Sequence, residues 1–141
     1  MNQSSLQAFA AQVARSGRIS AEDFKTLQRR LLPDGVASRE EAECLLALDR
    51  AARRADPRFA DWLVAVLVDF VVWGARPTGC VDREIAGWLA PWLTREPTRT
   101  ARRLAQEIAR EAHGLDAVLL AGMVEAASRP VGQDGALPLA A

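Results

Sequence analysis

Phe59-Ala60-Asp61-Trp62-Leu63-Val64-Ala65-Val66-Leu67-Val68-Asp69-Phe70-Val71-Val72-Trp73 is the most apolar stretch of the 141-residue chain, and its reading decides the fold. Three structures compete for it. A membrane-spanning helix needs about 20 apolar residues with few charges; this run is shorter and carries Asp61 and Asp69. The β-branched residues Val64, Val66, Val68, Val71 and Val72 suit a strand, yet no second strand candidate exists to pair with it. A helix is left. Asp56-Pro57 starts it, with proline at the first helical position, where its missing N–H costs nothing, and Arg76-Pro77-Thr78-Gly79 ends it. A helix apolar nearly all round belongs at the centre of a protein. The expectation is therefore all-α, a compact bundle of about seven helices around a central apolar helix over about 57–75.

The neighbouring segments agree with that choice. Upstream, residues 4–15 place Leu6, Phe9, Ala10 and Val13 on one helical face, and Ser16-Gly17 stops that helix. Ser20 caps a second helix with Phe24, Leu27 and Leu31 inward and Lys25 and Arg29 outward. Pro33-Asp34-Gly35 is a turn. Ser38 and Glu41 form an S-x-x-E capping box for a third helix to about Arg54, whose inner face is Ala42, Leu45, Leu46, Leu48 and Ala52. Downstream, Asp82 caps a fifth helix to about Leu93. Pro97-Thr98 opens a sixth over 99–112, closed by His113-Gly114, and Asp116 begins a seventh to about Ser128. From Arg129 onward the chain is proline, glycine and small residues. The expected layout is one domain over 1–128 and a loose tail over 129–141.

Composition narrows the function classes. Charges balance at 18 basic against 18 acidic residues, and the balance holds locally along the chain. No segment has the basic excess of a non-specific nucleic-acid binder. All basic residues but Lys25 are arginine. Together with abundant alanine, that points to a GC-rich bacterial genome rather than to arginine chemistry. Cys44 and Cys80 form no CxxC pair, and the single histidine, His113, completes no usual zinc set. The first residues, MNQSSLQAFAAQ, lack the basic-then-apolar pattern of a signal peptide. The expectation is a cytoplasmic protein with reduced, buried cysteines and no membrane insertion.

One local pattern occurs three times: Gly17-Arg18-Ile19-Ser20-Ala21-Glu22-Asp23-Phe24, Gly35-Val36-Ala37-Ser38-Arg39-Glu40-Glu41-Ala42 and Gly79-Cys80-Val81-Asp82-Arg83-Glu84-Ile85-Ala86. Glycine takes a positive φ as the chain leaves one helix. The apolar residue before the cap packs onto the next helix. Ser or Asp accepts from the first free amides, and Glu in the first turn opposes the helix dipole. The second and third copies also match at Arg39/Arg83, Glu40/Glu84, Ala42/Ala86 and Leu45/Leu89, which suggests a duplicated helix–turn–helix unit about 44 residues apart.

This motif resembles the helix-start signature of the TerB-like (tellurite-resistance TerB) helical family, where a DG-x-[IV]-[ST]-x-x-E turn recurs between core helices. Asp34-Gly35 carries the Asp-Gly pair; Ser16-Gly17 and Thr78-Gly79 depart from it. The resemblance covers roughly residues 16–93, and residues 63–81 are also similar to alphaproteobacterial helical proteins of that kind. It implies a cytoplasmic helical bundle linked to stress response or membrane-associated complexes, with metal contacts as a further implication, and not an enzyme.

Candidate functional residues follow. Laying an EF-hand loop on Gly35 and Glu41 puts Arg30 and Leu32 where oxygen ligands must stand, so capping alone accounts for these residues. Asp69 has only apolar neighbours in sequence, and a buried charge there needs a partner. Asp34 and Asp69 are the candidate ligands if a divalent metal binds. Trp62, Trp73, Trp88 and Trp92 are near enough in sequence to cluster between the fourth and fifth helices, and Trp88 and Trp92 share a face. Arg99, Arg102, Arg103 and Arg110 with Glu107 and Glu111 make a mixed-charge outer face. Trp88, Trp92, Arg99 and Arg103 are the interaction candidates. No catalytic residue and no cofactor is expected. The function expected from sequence is a non-enzymatic protein-interaction or regulatory and stress-response module with a protein partner; the alternative is a metal-binding accessory protein using acidic residues near the helix-start turns.

Overall fold

A computed structural model describes residues 3–74 and 79–128. They are helical almost throughout: α1 (Gln3–Ser16), α2 (Ala21–Thr26), α3 (Arg39–Ala51), α4 (Pro57–Val68), α5 (Arg83–Thr94), α6 (Arg99–Glu111) and α7 (Leu115–Ala127). The all-α expectation holds. The expected helix end at Arg76-Pro77-Thr78 and the expected loose tail from Arg129 lie outside the described residues. Two helices run on past their α-helical part into single π-helical turns, α2 through Leu27–Leu31 and α4 through Asp69–Trp73.

The repeated cap motif determines where α2, α3 and α5 begin. Gly17, Gly35 and Gly79 have φ of 71°, 81° and 84°, left-handed values that side chains disfavour. Three residues on, Ser20, Ser38 and Asp82 each accept a backbone N–H, from Asp23, Glu41 and Ile85. At Ser20 the box is reciprocal, because the Asp23 carboxylate accepts the Ser20 amide at 3.1 Å. The Ser38 box is shifted by one residue: Glu41 Oε1 accepts from Ala37 N at 2.7 Å rather than from the cap itself. The apolar residue before the cap is buried in two copies, Ile19 and Val81; Ala37 is exposed.

One feature was not expected from sequence. Arg18–Ile19 (β1) and Arg54–Ala55 (β2) form a two-residue parallel ladder. Its flanks are tied by Arg53 N and Arg54 N donating to Gly17 O and by Asp56 N donating to Ile19 O. Two residues are too few for any hydrophobic period to register.

The chain divides into two compact units, Met1–Cys80 and Val81–Ala141. In the first, α1 packs along α3, and the core includes Leu6, Phe9, Val13, Phe24, Leu27, Leu45, Leu48, Phe59, Leu63 and Leu67. Asp56 caps α4 and holds Arg58 through two contacts, Nε to Oδ1 at 2.9 Å and Nη2 to Oδ2 at 3.1 Å. The Arg58 guanidinium then lies over the Phe24 ring, 5.4 Å from its centroid. Trp62 stands edge-on to Phe24 with centroids 5.9 Å apart and is tilted against Phe59 at 6.3 Å. In the second unit α5, α6 and α7 pack together around Leu89, Leu93, Leu104, Ile108, Leu120 and Val124.

The fourth helix differs from the expectation in one respect. It is not enclosed on every side. Asp61, Ala65, Asp69 and Trp73, each four residues after the last, are exposed, while Phe59, Leu63, Val64, Leu67 and Val68 are buried. The expected burial of Asp69 is thus incorrect. Its apolar neighbours in sequence turn to other faces of the helix, and its own stripe faces water.

Candidate functional site

Two surfaces stand out, one in each unit. The first is a groove of about 440 Å³ lined by Gln28, Leu32, Pro33, Asp34, Gly35, Trp62, Ala65, Val66 and Asp69. The turn after α2 supplies its lower wall, and α4 supplies the upper. Gln28 lies in one π-helical turn and Asp69 opens the other. Such turns displace side chains from the regular α-helical register and recur at functional sites. The structure therefore brings together Asp34 and Asp69, the two sequence-level metal candidates. Neither makes a hydrogen bond or ion pair with another described residue. Among the described residues the groove lining carries two carboxylates, an amide and a half-buried indole, and no basic side chain, a lining that favours cations over anions. Among the described residues, no group of three or more His, Cys, Asp or Glu is placed to hold a metal ion. Two carboxylates and an amide fall short of the six to eight oxygens that calcium takes.

The second surface is the outer face of α7. Leu115 is 69 % exposed, Val118 56 %, Leu119 53 % and Met123 51 %. Gly122 and Ala126 lie in the same stripe and are exposed as well. On the opposite face Ala117, Leu120 and Val124 build the core with α5 and α6. The helix is therefore apolar on both sides, although only one is covered. Sequence reasoning missed this surface. The signal was present as apolar residues at 115, 118, 119 and 123, outside the set needed for the core.

The sequence-level interaction candidates sit on the other two helices of this unit. Trp88 and Trp92 are half-buried on α5. Arg99 and Arg103 are exposed on α6. The mixed-charge face is present as expected, with Arg110 paired to Glu107 at 3.0 Å and Arg102 reaching Glu125 of α7 at 3.8 Å. His113 is exposed beyond the end of α6. Cys44 and Cys80 are free and half-buried rather than fully buried. Burial, with Glu41 nearby, pushes the Cys44 thiol pKa up, which favours the unreactive protonated form. Its Sγ lies 3.9 Å from Leu6 O.

No protein-family model, curated protein or solved structure matches the chain.

Proposed function

We propose that this chain is a non-enzymatic helical interaction module, of the regulatory or stress-response kind that the TerB-like resemblance implies, and that it docks a protein partner on the outer face of α7. The observation that carries this reading is the exposed apolar stripe of Leu115, Val118, Leu119 and Met123. A soluble fold gains nothing from leaving four large apolar side chains adjacent and half or more exposed. Contiguous patches of that kind mark contact surfaces. Covering each of these side chains contributes about 1 kcal/mol, half of the value for full burial. A cytoplasmic setting agrees with the two free thiols.

The test is a photoreactive phenylalanine analogue placed at Val118, with irradiation of cells producing the protein. The reading expects a covalent adduct to a polypeptide at a discrete mass. The same analogue at Gln106, exposed on α6, is the control and should give none. Equal labelling at both positions, or no adduct at Val118, refutes the reading.

A second reading is favoured by the meeting of Asp34 and Asp69 in one groove: a metal-binding accessory protein. It expects the melting temperature to rise with calcium, magnesium or zinc, because a ligand that binds only the folded state stabilises it. The rise should vanish in Asp69→Asn. An unchanged melting temperature in all three ions discards this reading.

A further inference from the structure

The parallel ladder of the first unit gathers charge as well as backbone. Arg18 and Arg54 are partners in its register, and like charges directly opposite one another on paired strands repel. Arg53 lies beside them. Its backbone N–H donates to Gly17 O at 2.8 Å, and its side-chain Cγ and Cδ both lie 3.8 Å from a Cβ built on Gly17. Arg15 and Arg53 line one pocket of about 260 Å³, whose other walls are Ala14, Ser16, Gly17 and Ala51. All four arginines are exposed, and none pairs through its side chain with any described residue. No acidic residue lines the pocket, and residues 14–18 and 50–55 include none. Asp56, next along the chain, is taken by Arg58.

Helix ends do not account for this cluster. Arg15 stands in the last turn of α1, where a cation suits the partial negative charge of the free carbonyls. Arg18, Arg53 and Arg54 lie beyond the ends of α1 and α3. Two helix C-termini supply about one negative charge between them, against the four guanidinium charges gathered here. The chain has as many acidic residues as basic ones, 18 of each, so an internal counter-charge was available and is not placed at this pocket. The local excess is positive, and an anion from outside the chain would compensate it.

We propose that this pocket binds a phosphate monoester, held by Arg15 and Arg53, with Arg18 and Arg54 adding charge beside it. The planar guanidinium fork matches phosphate oxygens two at a time. A phosphate monoester brings about −1.5 to −2 charges and three acceptor oxygens at pH 7, which answers clustered arginines better than a single carboxylate does. The volume sets the size of the group. Pockets for drug-sized ligands run to about 300–1,000 Å³, so this one takes the phosphoryl group and leaves the rest of the ligand outside. A sugar phosphate and a phosphorylated side chain both present that group. A nucleic-acid duplex is the poorer fit, because its binding draws on a row of about 6–10 phosphate contacts. The proposal does not rest on the reading of α7.

Nuclear magnetic resonance of the full chain, titrated with inorganic phosphate against chloride at constant ionic strength, tests this. The amide shifts should saturate, with the largest changes at Gly17, Arg53 and Arg54. Arg15→Gln and Arg53→Gln should each weaken binding about tenfold or more, as for the loss of one charge-assisted hydrogen bond. Arg30→Gln, exposed and outside the pocket, should bind as the parent does. Phosphate should also raise the melting temperature of the parent and not that of Arg15→Gln, since a ligand of the folded state stabilises it. The Arg53 stem packs on Gly17, so if circular dichroism shows Arg53→Gln unfolded, Arg15→Gln decides the matter. Glucose 6-phosphate and a phosphoserine pentapeptide should both compete with inorganic phosphate, and the tighter of the two names the source of the group. Shifts that do not saturate, equal weakening in Arg15→Gln and Arg30→Gln, or a short DNA duplex that binds the arginines where neither monoester does, overturns the proposal.

Discussion

The same substitution, glycine to alanine, should have opposite effects at Gly17 and Gly122. At Gly17 the backbone φ is +71°. A Cβ there has room, since its nearest neighbours are Arg53 side-chain carbons at 3.8 Å, ordinary contact. The cost is then that of the left-handed conformation alone, about 1–2 kcal/mol for a side-chain-bearing residue, less the smaller entropy of the unfolded alanine chain. Gly17→Ala should therefore lose about 1 kcal/mol. At Gly122 the backbone is helical and a Cβ meets no atom of the described residues within 4 Å, so alanine gains about 0.5–1 kcal/mol from propensity. The two variants should differ by about 2 kcal/mol, or roughly 6–8 °C in melting temperature for a chain of this size. Urea unfolding followed by circular dichroism measures both. If Gly17→Ala is neutral, the positive φ does not set the end of α1. If Gly122→Ala destabilises the chain, the openness around Gly122 is wrong.

Three further outcomes follow from the geometry. Removing a cap at Ser20, Ser38 or Asp82 by substitution with alanine should cost about 1 kcal/mol each in chemical denaturation, and the reciprocal box at Ser20 should put that variant highest. Asp69→Asn should move stability by less than about 0.5 kcal/mol, as for an exposed residue with no partner among the described residues, whereas Leu63→Ala, at a fully buried position, should cost about 2–5 kcal/mol. Thiol titration of the denatured, non-reduced protein should find both cysteines free. In the native protein Cys44 should alkylate more slowly than an exposed cysteine at pH 8, because a raised pKa leaves less thiolate, and the gap should narrow as pH rises.

The helix starts were legible because each is written by local chemistry. A glycine, a side-chain acceptor three residues later and an acidic first turn act within eight residues, and Gly79 and Asp82 behave as that pattern demands. The parallel ladder of β1 and β2 was not legible, since Arg18-Ile19 and Arg54-Ala55 pair through backbone atoms that any residue carries. The two π-helical turns were hidden for a similar reason: one extra residue in a turn leaves the composition of Leu27–Leu31 and Asp69–Trp73 unchanged.

The two misjudged surfaces have a common physical origin. For Asp69, adjacency in sequence is not adjacency in space: on a helix the neighbours of residue 69 are 65, 66, 72 and 73. Asp61, Ala65 and Asp69 form one stripe, and the only two charges in the run both lie on it, so the wet face of α4 was available from the spacing of the aspartates alone. For α7 the opposite happened. An apolar residue reports that its side chain avoids water, not which partner removes it from water. Leu120 and Val124 find theirs on α5 and α6; Leu115 and Leu119 point away from the core with the same chemistry. Within one folded chain nothing distinguishes the two sets by residue type. What distinguishes them is their exposure in the folded unit. On that stripe Gly122 lowers helix propensity while Ala126 favours the helix, so neither residue type says what the face meets.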